Sequence, residues 1–61
     1  MDIITALRAA ECLADFTLPA LCQAQAALER HGYAAEALTI EEYLIDQSDE
    51  AWEACGVTPQ P

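Results

Sequence analysis

The chain has 61 residues, with eleven carboxylates, two arginines, no lysine and one histidine, and its formal net charge at pH 7 is −9. This length builds one domain at most, and the negative charge argues against direct binding to nucleic acid or to an anionic membrane surface. No apolar run approaches the ~20 residues that span a bilayer, and no signal peptide is readable. We therefore expect a cytoplasmic protein.

The apolar residues recur at helical rather than strand spacing. The predicted fold class is all-α: a small bundle of three short helices over residues 1–56, or four if the third helix is split, followed by a tail at 57–61. Much of the apolar content is alanine, which favours helices but buries little area. The large core candidates are Ile3, Ile4, Leu7, Leu13, Phe16, Leu18, Leu21, Leu28, Leu38, Ile40, Leu44, Ile45, Trp52 and Val57. Such a thin core favours a partner or a homodimer.

Two helices are predicted in the first half of the chain. Asp2 can cap the first helix, which should end near Asp15. Thr17 can cap the second, and Pro19 falls in its first turn, where a missing N–H is tolerated. Gly32 follows the last periodic residues and supplies the left-handed backbone conformation that ends a helix.

The third helix is predicted from a capping box. Thr39 and Glu42 have the spacing at which each side chain can bond the other residue's backbone N–H, so the helix should begin near Ile40 and end at Gly56. A continuous helix over 40–55 places one apolar face along Ile40, Leu44, Gln47, Ala51 and Cys55. Two places stay open. Residues 33–38 can form a helical turn or already begin this helix, and Ser48, with two acids after it, can begin a separate helix and split the region in two.

Charge is distributed unevenly along the chain. Residues 1–30 hold four acids and two bases, a sum of −2, whereas residues 31–61 hold seven acids and no Lys or Arg, a sum of −7. On a continuous third helix, at ~100° and ~1.5 Å per residue, four of these acids form a line about 16 Å long opposite the apolar face, and two more border it. The line is Glu42, Asp46, Asp49 and Glu53; Glu50 borders one edge and Glu41 lies nearer the other.

Like charges one turn apart cost a helix roughly 0.2–0.5 kcal/mol per pair, and this chain has no lysine to offset that repulsion. The row has two interpretations, a solvated face or an anionic surface that docks into a basic groove; we favour the second. Tyr43 and Trp52 flank the row. Core packing is the default interpretation for both, and contact with a partner is the functional one.

The sequence predicts neither a metal site nor a cofactor. Cys12, Cys22 and Cys55 are widely spaced and His31 is the only histidine, so the four ligands of a zinc site are not in place. We expect reduced, partly buried thiols, although a disulfide stays open. Carboxylates on an open helix lack the two distinct environments that general acid–base catalysis needs. We therefore expect no enzymatic activity.

In length, acidity and the row formed by its carboxylates, the chain resembles small phage-encoded inhibitors of bacterial defence, anti-CRISPR proteins among them. The residues that carry the resemblance are Glu42, Asp46, Asp49, Glu50 and Glu53. It implies a non-catalytic inhibitor in the host-cell cytoplasm, whose partner is a protein with a Lys/Arg-rich groove that normally holds DNA, such as a CRISPR effector complex. The alternative is a helical homodimer or adaptor that buries its Ala/Leu faces, with the acidic side merely solvated.

Overall fold

The computed structural model describes residues 1–54, and these residues form four α-helices and one 3₁₀ turn without any strand. The helices are α1 (Ile3–Glu11), α2 (Leu18–Arg30), α3 (Ala34–Ile45) and α4 (Asp49–Ala54), and the 3₁₀ turn is Leu13–Asp15. The predicted all-α bundle is confirmed, in its four-helix form. The predicted domain end at 56, the predicted stop at Gly56 and the tail at 57–61 lie outside the described residues.

Both predicted caps in the first half of the chain are confirmed. The Asp2 carboxylate accepts a hydrogen bond from the Thr5 N–H at 2.9 Å, and the Thr17 hydroxyl accepts one from the Ala20 N–H at 3.3 Å. Each bond satisfies an N–H that has no partner within its own helix. The starts of α1 and α2 therefore follow from local side-chain chemistry.

The first helix ends earlier than predicted. α1 stops at Glu11 rather than near Asp15, because Cys12 leaves the helical region (φ −126°, ψ 58°) and the chain tightens into the 3₁₀ turn. The turn and the extended residue after it pack two large side chains, Leu13 and Phe16, against the core. Tertiary packing thus overrides the alanine-rich periodicity of this segment.

The α2–α3 connection is a Schellman turn built on Gly32. This glycine has φ +84°, a conformation that L-residues rarely adopt. The Gly32 N–H donates to the Glu29 carbonyl at 3.2 Å, and the Tyr33 N–H donates to the Leu28 carbonyl at 2.9 Å, which are the two bonds of that motif. The predicted stop is confirmed. The turn is short, and α3 begins at Ala34, directly after Tyr33.

The predicted start of the third helix is wrong. α3 begins at Ala34 rather than near Ile40, and the Thr39 hydroxyl donates to the Ala35 carbonyl at 3.1 Å from within the helix. The capping box is therefore not formed. Alanine is the strongest helix former and Glu36 suits the positive end of the dipole, so the segment after the Schellman turn is already helical before Thr39.

The core lies between α1, α2 and α3, with α2 packed against both of the others. Half of its buried residues are alanines, and the only large side chains that are fully buried within residues 1–54 are Leu21, Leu28 and Ile40. The buried set is Ala6, Ala9, Leu18, Leu21, Ala24, Ala27, Leu28, Ala37, Ile40 and Leu44. Alanine at the contact faces lets the helix backbones approach closely, which compensates in part for the small buried area.

Three of the predicted core residues are instead on the surface. Ile4 is 68% exposed, Leu38 is 51% exposed and Ile45 is 76% exposed. Each lies outside the stripe of its helix that faces the neighbouring helices. The prediction failed because it selected residues by size, whereas helix geometry selects them by position.

Candidate functional site

The acidic segment does not lie on one helix. α3 ends at Ile45, and Ser48 starts a new helix: its hydroxyl accepts from the Ala51 N–H at 3.3 Å, and its carbonyl accepts from the Trp52 N–H at 3.3 Å. The prediction of a continuous helix over 40–55 is wrong, and the split at Ser48 is confirmed. Serine is a preferred N-cap because its oxygen reaches the N–H groups of the first turn.

The residue before this cap stabilises the end of α3. The Gln47 side-chain amide donates to the Tyr43 carbonyl at 3.2 Å, one of the carbonyls that has no partner in the last turn of a helix. The Gln47 backbone N–H donates to the Leu44 carbonyl at 3.2 Å. The Gln47 side chain therefore caps the end of α3 and the Ser48 side chain caps the start of α4, so two adjacent residues separate the helices.

The break divides the predicted row of carboxylates into two groups. Glu42 and Asp46 lie at the end of α3, whereas three further carboxylates lie on α4. The straight line of about 16 Å is therefore wrong. All five side chains are exposed, and they are Glu42, Asp46, Asp49, Glu50 and Glu53.

The helix dipoles disfavour the carboxylates at the end of α3 and favour those at the start of α4. Asp46 is the C-cap of α3, where a negative charge is unfavourable, whereas Asp49 and Glu50 occupy the first turn of α4, where a negative charge is favourable. Of the three pairs spaced four residues apart, Glu42/Asp46 and Asp49/Glu53 keep that spacing at a single helix, whereas the break separates Asp46 from Glu50 and removes their repulsion. The free protein therefore carries less electrostatic strain than a continuous helix would.

The two aromatic residues assigned to partner contact are both half-buried. Tyr43 and Trp52 pack against the core cluster, as the core-packing interpretation holds, and each keeps part of its surface exposed. A larger apolar surface is offered by Leu38 and Ile45, which sequence reasoning assigned to the core. Leu38 precedes the predicted start of the third helix, so for this residue the true start at Ala34 was the missing signal. Ile45 already lay outside the predicted apolar face and was assigned to the core by its size alone.

Besides the carboxylates, residues 1–54 carry two free thiols and an open depression. No group of three or more His, Cys, Asp or Glu side chains in this part of the chain could hold a metal ion, and no helix in it is both long enough and apolar enough to cross a bilayer. Cys12 and Cys22 are free thiols and are exposed, which corrects their predicted partial burial; Cys55 lies outside the described residues. An open depression of about 520 Å³ is lined by Met1 and the α2 residues Gln23, Ala26, Glu29 and Arg30.

The chain matches no family model, no curated protein and no solved structure. Function is therefore inferred from the surface of the molecule.

Proposed function

We propose that this protein is a non-catalytic inhibitor that binds a basic, DNA-binding surface of a nucleic-acid-handling complex, with a CRISPR effector complex as the first candidate. The observation that carries the proposal is charge placement. Seven carboxylates follow Arg30 with no Lys or Arg among them. Five of those seven lie, exposed, at the end of α3 and along α4.

Exposed carboxylates can occupy the Lys and Arg side chains that otherwise hold phosphates, because both anions accept charge-assisted hydrogen bonds from the same donors. The break at Gln47 and Ser48 presents the carboxylates as two groups, the α3 pair and the α4 group. A partner that meets both groups needs two clusters of bases. Tyr43 and Trp52 can add contact area through their exposed edges while they stay packed on the core.

The test is inhibition of DNA binding by a purified CRISPR effector complex, followed in a gel-shift assay and, in cells, by the plaquing efficiency of a targeted phage. The double variant Asp46→Lys, Asp49→Lys is expected to abolish inhibition while its circular dichroism spectrum stays helical. The matched control is Glu11→Lys, Asp15→Lys, which makes the same change in net charge at exposed positions of the first half of the chain and should still inhibit.

Inhibition should also weaken steeply as the salt concentration rises, because exposed charges are screened. Full inhibition by the Asp46/Asp49 variant would contradict the role of this surface. Equal loss in both double variants would show that net charge alone matters. If the unaltered protein inhibits none of the complexes tested, the assignment to CRISPR effectors is wrong.

The exposed aliphatic residues favour a second candidate, a helical homodimer or adaptor. Ile4, Leu38 and Ile45 are each more than half exposed, and burial against another helix would remove them from water. Such a complex would persist at high salt. Sedimentation of the purified protein at low and high salt separates this candidate from a charge-driven complex.

A further inference from the structure

One side of α3 outside its buried stripe carries two large aliphatic side chains. Leu38 is 51% exposed and Ile45 is 76% exposed. They lie seven residues apart, about 10.5 Å along the helix axis, and Glu41 lies between them on the same side. We call Leu38, Glu41 and Ile45 the Leu38–Ile45 row. One exposed aliphatic residue is ordinary, but two in one row form a paired apolar surface.

Carboxylates surround this row. Glu41 lies within it, Glu42 is one turn beyond Leu38, and Asp46 follows Ile45; all three are exposed. No Lys or Arg occurs anywhere after residue 30. The apolar surface is therefore set in a negative field that no base of α3 or α4 offsets.

The charge around this row favours a basic partner over a second copy of the chain as its occupant. A second copy docked here would bring its own Glu41 and Glu42 against the same residues of the first copy, and like charges brought together at an interface are repulsive. A basic partner meets the same carboxylates with attraction while its apolar side chains cover Leu38 and Ile45. Charge complementarity thus favours a basic amphipathic segment over a second copy.

We propose that the Leu38–Ile45 row is the apolar anchor of the partner interface, and that its occupant is a basic amphipathic helix with two apolar side chains one heptad apart and Lys or Arg around them. The inference rests on the proposed function for the sign of the partner's charge. Beyond charge, recognition requires apolar contact with Leu38 and Ile45, so a partner surface that offers only Lys and Arg binds this protein more weakly.

Two synthetic helical peptides test the proposal against the full chain. One carries two leucines seven residues apart among lysines, and the other has serine at both leucine positions with the same charge. We expect the leucine peptide to bind about tenfold more tightly, or more, by fluorescence anisotropy at moderate salt, because it buries two apolar side chains that the serine peptide lacks. The double variant Leu38→Ser, Ile45→Ser should lose that preference and keep its affinity for the serine peptide.

The matched control is Ile4→Ser, which removes an aliphatic side chain that is 68% exposed but lies on α1, one turn before Arg8. It should keep the full preference for the leucine peptide. Equal binding of both peptides to the unaltered protein would overturn the anchor, as would an equal loss of preference on Ile4→Ser.

The two proposals fail in distinguishable ways. Salt-sensitive binding of both peptides with no preference overturns the anchor and leaves the charge-driven function standing, whereas binding of neither peptide counts against both. A dimer in sedimentation that Ile45→Ser converts to monomer would assign the row to a second copy and overturn the basic occupant.

Discussion

The break between α3 and α4 predicts that two neighbouring charge reversals act on stability in opposite directions. Asp46→Lys and Asp49→Lys each change the formal net charge from −9 by the same two units. Asp46 caps the C-terminus of α3, whereas Asp49 opens α4. Because the two ends of a helix carry opposite partial charges, a lysine is favourable at the first position and unfavourable at the second.

The expected magnitudes follow from the exposure of both sites. A charge at a helix end contributes about 0.3–1 kcal/mol, so reversing its sign changes stability by about 1 kcal/mol at an exposed position. At position 46 the reversal also converts the repulsion from Glu42 into an attraction, which adds about 0.5 kcal/mol. At position 49 the gain against Glu53 offsets about half of the dipole loss. The two variants should therefore differ by roughly 2 kcal/mol.

Thermal unfolding followed by circular dichroism measures the effect on the whole domain, and Trp52 fluorescence reports on α4. In a domain of this size 1 kcal/mol shifts Tm by about 4–8 °C, so Asp46→Lys should raise Tm by several degrees at low salt. Asp49→Lys should lower the temperature at which Trp52 becomes exposed. Relief of the overall negative charge acts equally on both variants and cancels in their difference.

Equal shifts in the two variants would refute the dipole argument, since they would show that only net charge matters. A difference that persists undiminished in 0.5 M salt would also contradict it, because exposed charges are screened there.

Three further predictions concern the core, the turn and the first cap. Ala24→Leu should destabilise the domain by about 1–3 kcal/mol, because Ala24 is fully buried; Ala26→Leu, at an exposed position of α2, should leave Tm nearly unchanged, and equal effects would argue against close helix packing. Gly32→Ala should lower the urea midpoint by the equivalent of roughly 1–2 kcal/mol. A Cβ there meets nothing within 4 Å, so the loss should come from backbone strain; Gly32→Asn should lose less stability, because asparagine tolerates the left-handed conformation better than alanine does. Hydrogen bonds from the Thr5 side chain and backbone hold the pKa of Asp2 below its ordinary value of 3.8. The resulting stabilisation is complete above pH 3.8 and is lost as the pH falls through the lowered pKa. The stability difference between the unaltered protein and Asp2→Ala should therefore disappear in acid, and a difference that is constant from pH 5 to 2 would contradict this.

The parts of the fold that the sequence predicted correctly are those set by local chemistry. Asp2 and Thr17 each bond an N–H three residues ahead, and Gly32 takes the left-handed conformation that its place after a helix requires. Such caps depend on a few adjacent atoms, so a short stretch of sequence suffices to identify them.

The parts that failed depend on competition between two local signals or on tertiary packing. The Thr39–Glu42 spacing fits a capping box, but the Schellman turn at Gly32 allows a helix to begin earlier, and the alanines that follow propagate it through Thr39. At Ser48, in contrast to Thr39, the cap does form, although the apolar spacing of the surrounding residues also fits one long helix. Residue spacing alone does not show whether a cap or a continuous helix is the more stable, because the same residues fit both.

The thin core also decides which residues are available to a partner. Only three large side chains are fully buried within residues 1–54, so Tyr43 and Trp52, which pack against that cluster, contribute substantially to folding. Replacing either with alanine would remove packing as well as any contact, and a resulting loss of binding would not identify an interface. Leu38 and Ile45 are each more than half exposed, so they contribute less to folding. Substitutions at these two positions therefore report on recognition with the least disturbance of the fold.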